Sequence, residues 1–363
     1  MSILAEIPND AGYVLWMGVR EATLWASMEP GERHGFLADR VEQRIRMIQD
    51  SGMDSQVAAA LIALTSTLRG GEADPEVLSR LCGSVAEWAR QRGHGGTALN
   101  FAQAAALVDP ASAWAAVEVA KRATELGQTA RAETWLRRTI AVARRAGDWE
   151  PYTVAYLELG TMYRTHHQDP AQAERYFVRA LRAARRKGFR ELLGAARHGL
   201  FLLKVDAGEL EEAAQLAGRA ARAYGRGHPA RHELARELAA LSMRRGDHAA
   251  AAESLRALLP GARDRAERLR LEAMLARATA ASGDLESYRA SWMSAWELLY
   301  DLPAAGSAGP AMLELAAASA LVGDVDRVQM IARAQSTLPA RARRPTVVND
   351  LLASARQNHR ARA

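Results

Sequence analysis

An all-α architecture, a solenoid of antiparallel helix pairs, is predicted by three features of this sequence. Alanine and leucine dominate while few segments show the β-branched alternation that strands need, so helices should fill most of the chain. A glycine plus polar residue, followed five positions after the glycine by a small residue, recurs along it. At 363 residues the chain is long enough for an elongated array in which each unit packs only on its neighbours.

The recurring unit can be followed position by position. Its instances are Gly93-His94 with Ala98, Gly127-Gln128 with Ala132, Gly208-Glu209 with Ala213 and Gly246-Asp247 with Ala251. Weaker copies follow at Gly283-Asp284 with Tyr288 and Gly323-Asp324 with Val328, and His167-Gln168-Asp169 stands in for the glycine before Ala173. Positions 98, 132, 173, 213, 251, 288 and 328 are then 34, 41, 40, 38, 37 and 40 residues apart. Glycine reaches positive φ at low cost and closes the first helix, while the acidic residue after it suits the positive end of the second. The small residue five positions on marks where the two helices approach most closely. Apolar residues then recur at helical spacing, as in Trp135, Leu136 and Ile140, or Phe177, Ala180 and Leu181, to bury one face against the next pair.

On these residues the sequence resembles the tetratricopeptide repeat family, in an extended form found in bacterial signalling and regulatory solenoids. Leu159-Gly160, Tyr163, Ala173, Phe177 and Ala180 follow the family's order with one inserted residue before the alanine, and Ala98, Ala105 and Asp109-Pro110 supply a second match. Most copies have Ala120, Ala239, Ala276 or Ala316 where the family has glycine. The resemblance covers residues 72–338 in about seven helix pairs, with Gly52 and Val57 as a degenerate eighth, and implies a right-handed superhelical solenoid with a concave inner surface.

The ends read differently. Residues 1–71 form an N-terminal helical cap with helices near 10–28, 32–50 and 54–69, broken at Glu29-Pro30-Gly31 and Ser51-Gly52, and Val14, Trp16, Leu24 and Trp25 are the candidate capping residues. A partner-binding tryptophan patch is the rival reading. Leu302-Pro303 to Gly309-Pro310 reads as a small-residue loop between the last two units, and residues 339–363 as a basic tail with a short capping helix over Thr346–Gln357.

Charge and cysteine content bound the function. The net charge of +6 sits mostly in the tail, where six arginines face only Asp350, leaving 42 basic and 41 acidic residues in the body. Arginine outnumbers lysine 45 to 3, attributable to a GC-rich genome rather than to guanidinium chemistry. Cys82 is the only cysteine, so one chain holds no disulfide and no thiolate cluster. With neither a signal-like leader nor about 18 consecutive apolar residues, the reading is a cytoplasmic protein with no membrane partner.

No Walker loop, dinucleotide fingerprint, nucleophile elbow or H-E-x-x-H pair occurs. Gly93-His94-Gly95-Gly96-Thr97 is glycine-rich but lies in an inter-helix turn. His228 and His232, near Glu233 and Glu237, share a helical face where a metal can be imagined, although His228-Pro229 is better explained as a helix start. His166-His167 reads as an exposed loop and Cys82 as a small buried hydrophobe. No catalytic residue, cofactor or metal is assigned, and the first seventy residues lack the recognition helix of a DNA-binding domain.

The resemblance implies a binding groove lined by the first helix of each pair. The corresponding positions here include Arg80, Glu87, Arg90, Trp114, Lys121, Arg164, His198, Arg236, Arg244, Arg270 and Arg277, a mostly cationic face suited to a protein or peptide with an acidic surface. No asparagine falls there, so the family's carboxylate clamp is not carried over. The expected function is a non-enzymatic scaffold, adaptor or regulatory subunit of a larger bacterial assembly. Nucleic-acid binding through the arginines and the tail is the alternative.

Overall fold

A computed structural model describes residues 3–33, 35–37, 39–69, 73–225, 227–301, 308–338 and 343–362. Of the expected loop at 302–310, residues 302–307 lie outside this set, as do residues 70–72 at the expected cap boundary; Ala308, Gly309 and Pro310 are not loop but the first turn of a helix, where proline is tolerated because the first N–H groups need no partner within the helix. The described residues form nineteen α-helices and no strand. They are α1 (Ile3–Glu6), α2 (Asp10–Ser27), α3 (Val41–Asp50), α4 (Ser55–Leu68), α5 (Pro75–Gln91), α6 (Gly95–Val108), α7 (Ala113–Glu125), α8 (Thr129–Ala146), α9 (Trp149–Thr165) and α10 (Pro170–Lys187). After these come α11 (Arg190–Asp206), α12 (Leu210–Tyr224), α13 (Ala230–Arg244), α14 (His248–Leu258), α15 (Arg265–Ser282), α16 (Leu285–Asp301), α17 (Ala308–Val322), α18 (Val325–Gln335) and α19 (Pro345–Arg362). They divide into two compact units, Met1–Leu203 and Lys204–Ala363.

Each turn within a pair has one construction. Gly93, Gly127, Gly208, Gly246, Gly283 and Gly323 all have positive φ. The N–H of the following residue then donates to the carbonyl five positions back, as in His94 to Ala89 at 2.9 Å, Gln128 to Ala123 at 2.8 Å and Asp324 to Ser319 at 2.9 Å. In the α9–α10 turn, Gln168 takes the left-handed conformation itself, with φ 53°. The residue after the glycine caps the second helix only where it is a short aspartate: Asp284 accepts from the Ser287 N–H at 3.1 Å and Asp324 from the Arg327 N–H at 3.1 Å. His94, Gln128, Glu209 and Asp247 make no such side-chain bond.

All seven residues five positions on are buried: Ala98, Ala132, Ala173, Ala213, Ala251, Tyr288 and Val328. The pairs so formed are α5/α6, α7/α8 and α9/α10 in the first unit, and α13/α14, α15/α16 and α17/α18 in the second. Short turns make the two helices of each pair antiparallel. Tyr288 still allows α15 and α16 to pack closely, but α17 then packs chiefly on α15. In the first unit the Phe177 ring of α10 is lodged against Gly160 of its pair partner α9 and Gly199 of the next helix, α11, where an added methyl group would overlap the ring. Ala120, Ala239, Ala276 and Ala316 are all buried.

The N-terminal helices cover the first pair. Val14 and Trp25 are buried, with the Arg33 guanidinium 4.0 Å from the Trp25 ring, whereas Trp16 and Leu24 face solvent, Trp16 stacked on Tyr13. The second expected helix begins at Val41 rather than at 32, because Gly35 and Leu37 adopt positive φ and break the ladder. Gly52 also has positive φ, and Val57 is buried in the α3–α4 pair, the geometry of a further repeat. Glu6 reaches from α1 to the start of α6: its carboxylate accepts the Gly96 N–H, the Thr97 N–H and the Thr97 hydroxyl, each at 2.7 Å.

At the other end α19 runs to Arg362, five residues past the expected stop at Gln357, and packs on α17 and α18 with Val348 and Ala355 buried. Asn358 donates from Nδ2 to the Ala320 carbonyl at 2.9 Å. The α17–α18 turn touches α19 directly, since a methyl on Gly323 would lie 2.8 Å from the His359 backbone nitrogen.

Two measurements test this packing. Gly199→Ala should destabilise the protein by about 1–3 kcal/mol through overpacking against Phe177, despite alanine's better helix propensity, read as a lower urea midpoint. Burial opposes ionisation of Glu6, but the Thr97 and Gly96 hydrogen bonds outweigh it and hold its pKa below the ordinary 4.5. A depressed folded pKa stabilises at pH above the unfolded value. Glu6→Gln should therefore cost about 1–3 kcal/mol at neutral pH, with the deficit shrinking as the pH falls through 4.5 and below.

Candidate functional site

Helices α5, α6 and α7 enclose a pocket of about 260 Å³. Its floor is made of small residues, Gly83 and Ala86 from α5, Ala102 and Ala105 from α6, and Ala115 from α7. Arg80, Glu87, Trp114, Glu118 and Arg122 form the walls. Ser112 starts α7 by accepting the Ala115 N–H at 3.2 Å. Trp114 is thereby placed in the first turn, 40% exposed. The pocket thus joins Arg80 and Trp114, two of the first-helix residues expected at a binding face, with Glu87 between the same walls. It also uses Ala102 and Ala105 of a second helix, which positions taken from first helices alone omit.

The electrostatics of this face differ from the cationic surface expected. Arg90 donates from Nε to Glu87 at 2.8 Å, and this bond is the main reason the Glu87 carboxyl is held down at about 2. Glu118 takes both Lys121 at 3.0 Å and Arg122 at 3.1 Å, and Arg122 also reaches Glu125 at 2.9 Å. Burial raises the pKa of Glu158 on α9 although Lys121 acts against it. Arg90, Lys121 and Arg122 are therefore matched by four carboxylates along α5, α7 and α9. Among the described residues Arg80 has no carboxylate partner and is exposed.

The remaining expected residues are dispersed. Arg164 is half-buried on α9, and His198 is buried on α11, its ring 5.9 Å from that of Phe201. In the second unit Arg236 lies 3.6 Å from Glu233 and 3.7 Å from Glu237, and Arg277 pairs with Glu314 at 3.0 Å. Arg244 donates to the Val205 carbonyl at 2.7 Å. Arg270 is exposed and, among the described residues, donates to the Ala266 carbonyl of its own helix at 3.4 Å.

Other chemically suggestive residues have structural roles. Glu6 occupies the N–H groups of the glycine-rich turn. His228 accepts the Ala230 N–H at 3.2 Å and stacks on Tyr224, while His232 turns toward Glu267 at 3.5 Å. His167 packs on Tyr163 at 4.5 Å, 3.6 Å from Glu133. Among the described residues no three His, Cys, Asp or Glu side chains converge as metal ligands, and no helix is long and apolar enough to cross a membrane.

Helix pairs closed by left-handed turns, with small residues at the closest approach, define a tetratricopeptide-repeat-like fold. Solved structures agree. A Rap protein complexed with Competence and Sporulation Factor superposes with a TM-score of 0.54 at 13% identity, covering 94% of this chain and 99% of its own. The apo form of RapI gives 0.54 at 9% identity, covering 78% and 97%, and the type IV pilus biogenesis factor PilW gives 0.50 at 16%, covering 64% and 97%. At such identities the likeness is one of fold. No protein-family model matches the chain, and no curated protein matches it in sequence.

Cys82, on the pocket helix α5 itself, is fully buried, and burial pushes its thiol up to about 12. Native protein at pH 8 should resist a thiol-reactive dye, and urea-unfolded protein should react completely.

Proposed function

We propose that the chain is a non-enzymatic scaffold that holds a segment of another protein, and that the α5–α7 pocket is one of its contact points. The observation that carries this reading is the juxtaposition of Arg80, without a carboxylate partner among the described residues, with the exposed Trp114 over an alanine floor. An aromatic ring supplies contact area at low entropic cost, and a guanidinium forks onto a carboxylate. The segment it suits presents a bulky apolar side chain beside an Asp or Glu. Glu87 and Glu118 at the rim disfavour a uniformly acidic ligand and confer register. That a Rap protein of this fold is complexed with Competence and Sporulation Factor supports a ligand-holding role, as a cytoplasmic adaptor or as a regulatory subunit of a bacterial assembly.

An array of short peptides pairing Leu, Phe or Trp with Asp or Glu, probed with labelled full-length protein, tests the reading. Trp114→Ala and Arg80→Glu should each weaken the best binders at least about tenfold, or 1.4 kcal/mol, with helical content unchanged by circular dichroism. Equal binding by wild type and both variants would refute the pocket.

A further inference from the structure

The cations of the first unit that lack carboxylate partners are concentrated on its second helices. On α10, Arg175, Arg179, Arg182 and Arg186 follow a 4-3-4 spacing that places them on one helical face, a ladder about 16 Å long. All four are exposed, as are Lys187 and, at the end of α8, Arg144 and Arg145. Among the described residues none of these seven makes an ion pair.

The α10 ladder borders aromatic rings. Arg179, Arg182, Arg186 and Lys187 surround a pocket of about 290 Å³ with Trp149 and Tyr152 of α9. The two rings meet edge to face at 5.2 Å, and the Lys187 ammonium lies 4.9 Å from the Trp149 centroid. Arg144 is close enough to act on the Tyr152 phenol. Asp148 and Glu150 flank Trp149 at the start of α9, and neither lines the pocket.

Repeat architecture does not demand this charge. Cations in a last helical turn complement the helix dipole, which accounts for Arg144, Arg145, Arg186 and Lys187 but not for Arg175, Arg179 and Arg182 further upstream. The corresponding second helix α6 carries no cation at all.

We infer that this face binds single-stranded nucleic acid, with phosphates along the α10 guanidinium ladder and a base against the half-exposed rings of Trp149 and Tyr152. The ladder is too long for one phosphate group, so the ligand is a polymer. Aromatic surface beside the cations matches a ligand with both phosphates and π faces, where a polycarboxylate offers only the charge. A bilayer is a poorer match, because none of the exposed large hydrophobic side chains lies on α8, α9 or α10. The surface is separate from the α5–α7 pocket and does not depend on the peptide reading.

The test is fluorescence anisotropy of a labelled 20-nucleotide oligo(U), titrated with the full chain at several salt concentrations. Three or four phosphate contacts predict a log affinity against log salt slope of about −2 to −3. Arg182→Glu/Arg186→Glu, both exposed on α10, should lower the affinity at least tenfold with an unchanged circular dichroism spectrum. Trp149→Phe should weaken binding less and leave the slope unchanged, as loss of stacking rather than of charge. Polyglutamate of equal length should compete at least tenfold less well, and phosphatidylserine vesicles should not sediment the protein. No binding, equal binding by the charge-reversed variant, equal competition by polyglutamate, or sedimentation with the vesicles would overturn the inference.

Discussion

The architecture depends on how closely two helices can approach just after a left-handed turn. A residue at positive φ ends the first helix and hands its carbonyls to the N–H groups of the turn. Five positions on, the second helix presses a buried residue, usually alanine, against the first. Where alanine is kept, the pair is tight enough for Phe177 to use bare glycine backbone as its socket on α9 and α11. Where tyrosine replaces it, at 288, the phenol finds Ser319 of α17 at 3.2 Å, and α17 settles on α15 rather than α16. Gln168 shows the constraint from the other side, accepting a conformation that costs L-residues roughly 1–2 kcal/mol to keep the same turn.

Electrostatics then separate the two classes of helix in the first unit. On the first helices α5 and α7 a carboxylate stands three or four residues from a cation of the same helix, and Glu87 and Glu118 absorb most of the positive charge of α5 and α7. Second helices α8 and α10 carry few acidic residues, and apart from Arg137, which pairs with Glu133 at 2.7 Å, their arginines make no ion pair among the described residues. Arginine content alone therefore does not locate a binding surface; the carboxylates within reach of each arginine do.

The first and last helices each pack on a neighbouring pair. Glu6 fills the anion-binding start of α6 that a glycine-rich turn would otherwise offer to a phosphate, and α19 covers the last pair with its backbone against the Gly323 turn. The basic residues Arg356 and Arg360 consequently ride on a packed helix.

By itself the sequence determined the local grammar: helix pairs, their turns, the seven buried residues that hold them together, and the interruptions at Gly52 and Gln168. These depend on backbone conformation and on contacts between neighbouring helices, which a spacing of about 34 to 41 residues records directly. Tertiary structure decided which cations are spent: Arg277 and Glu314 stand 37 positions apart, one repeat spacing, which brings their helices together without saying which side chains on them meet. It also decided that Trp16 and Leu24 face water while Trp25 and Val14 do not, and that a second-helix floor of Ala102 and Ala105 completes the pocket beside Trp114. The 4-3-4 spacing of the α10 arginines does not set them apart from the other arginines of the sequence, and the ladder emerged only from the absence of opposing carboxylates among the described residues and from Trp149 and Tyr152 beside it. Charge compensation and burial belong to the packed surface, and only the folded chain defines that surface.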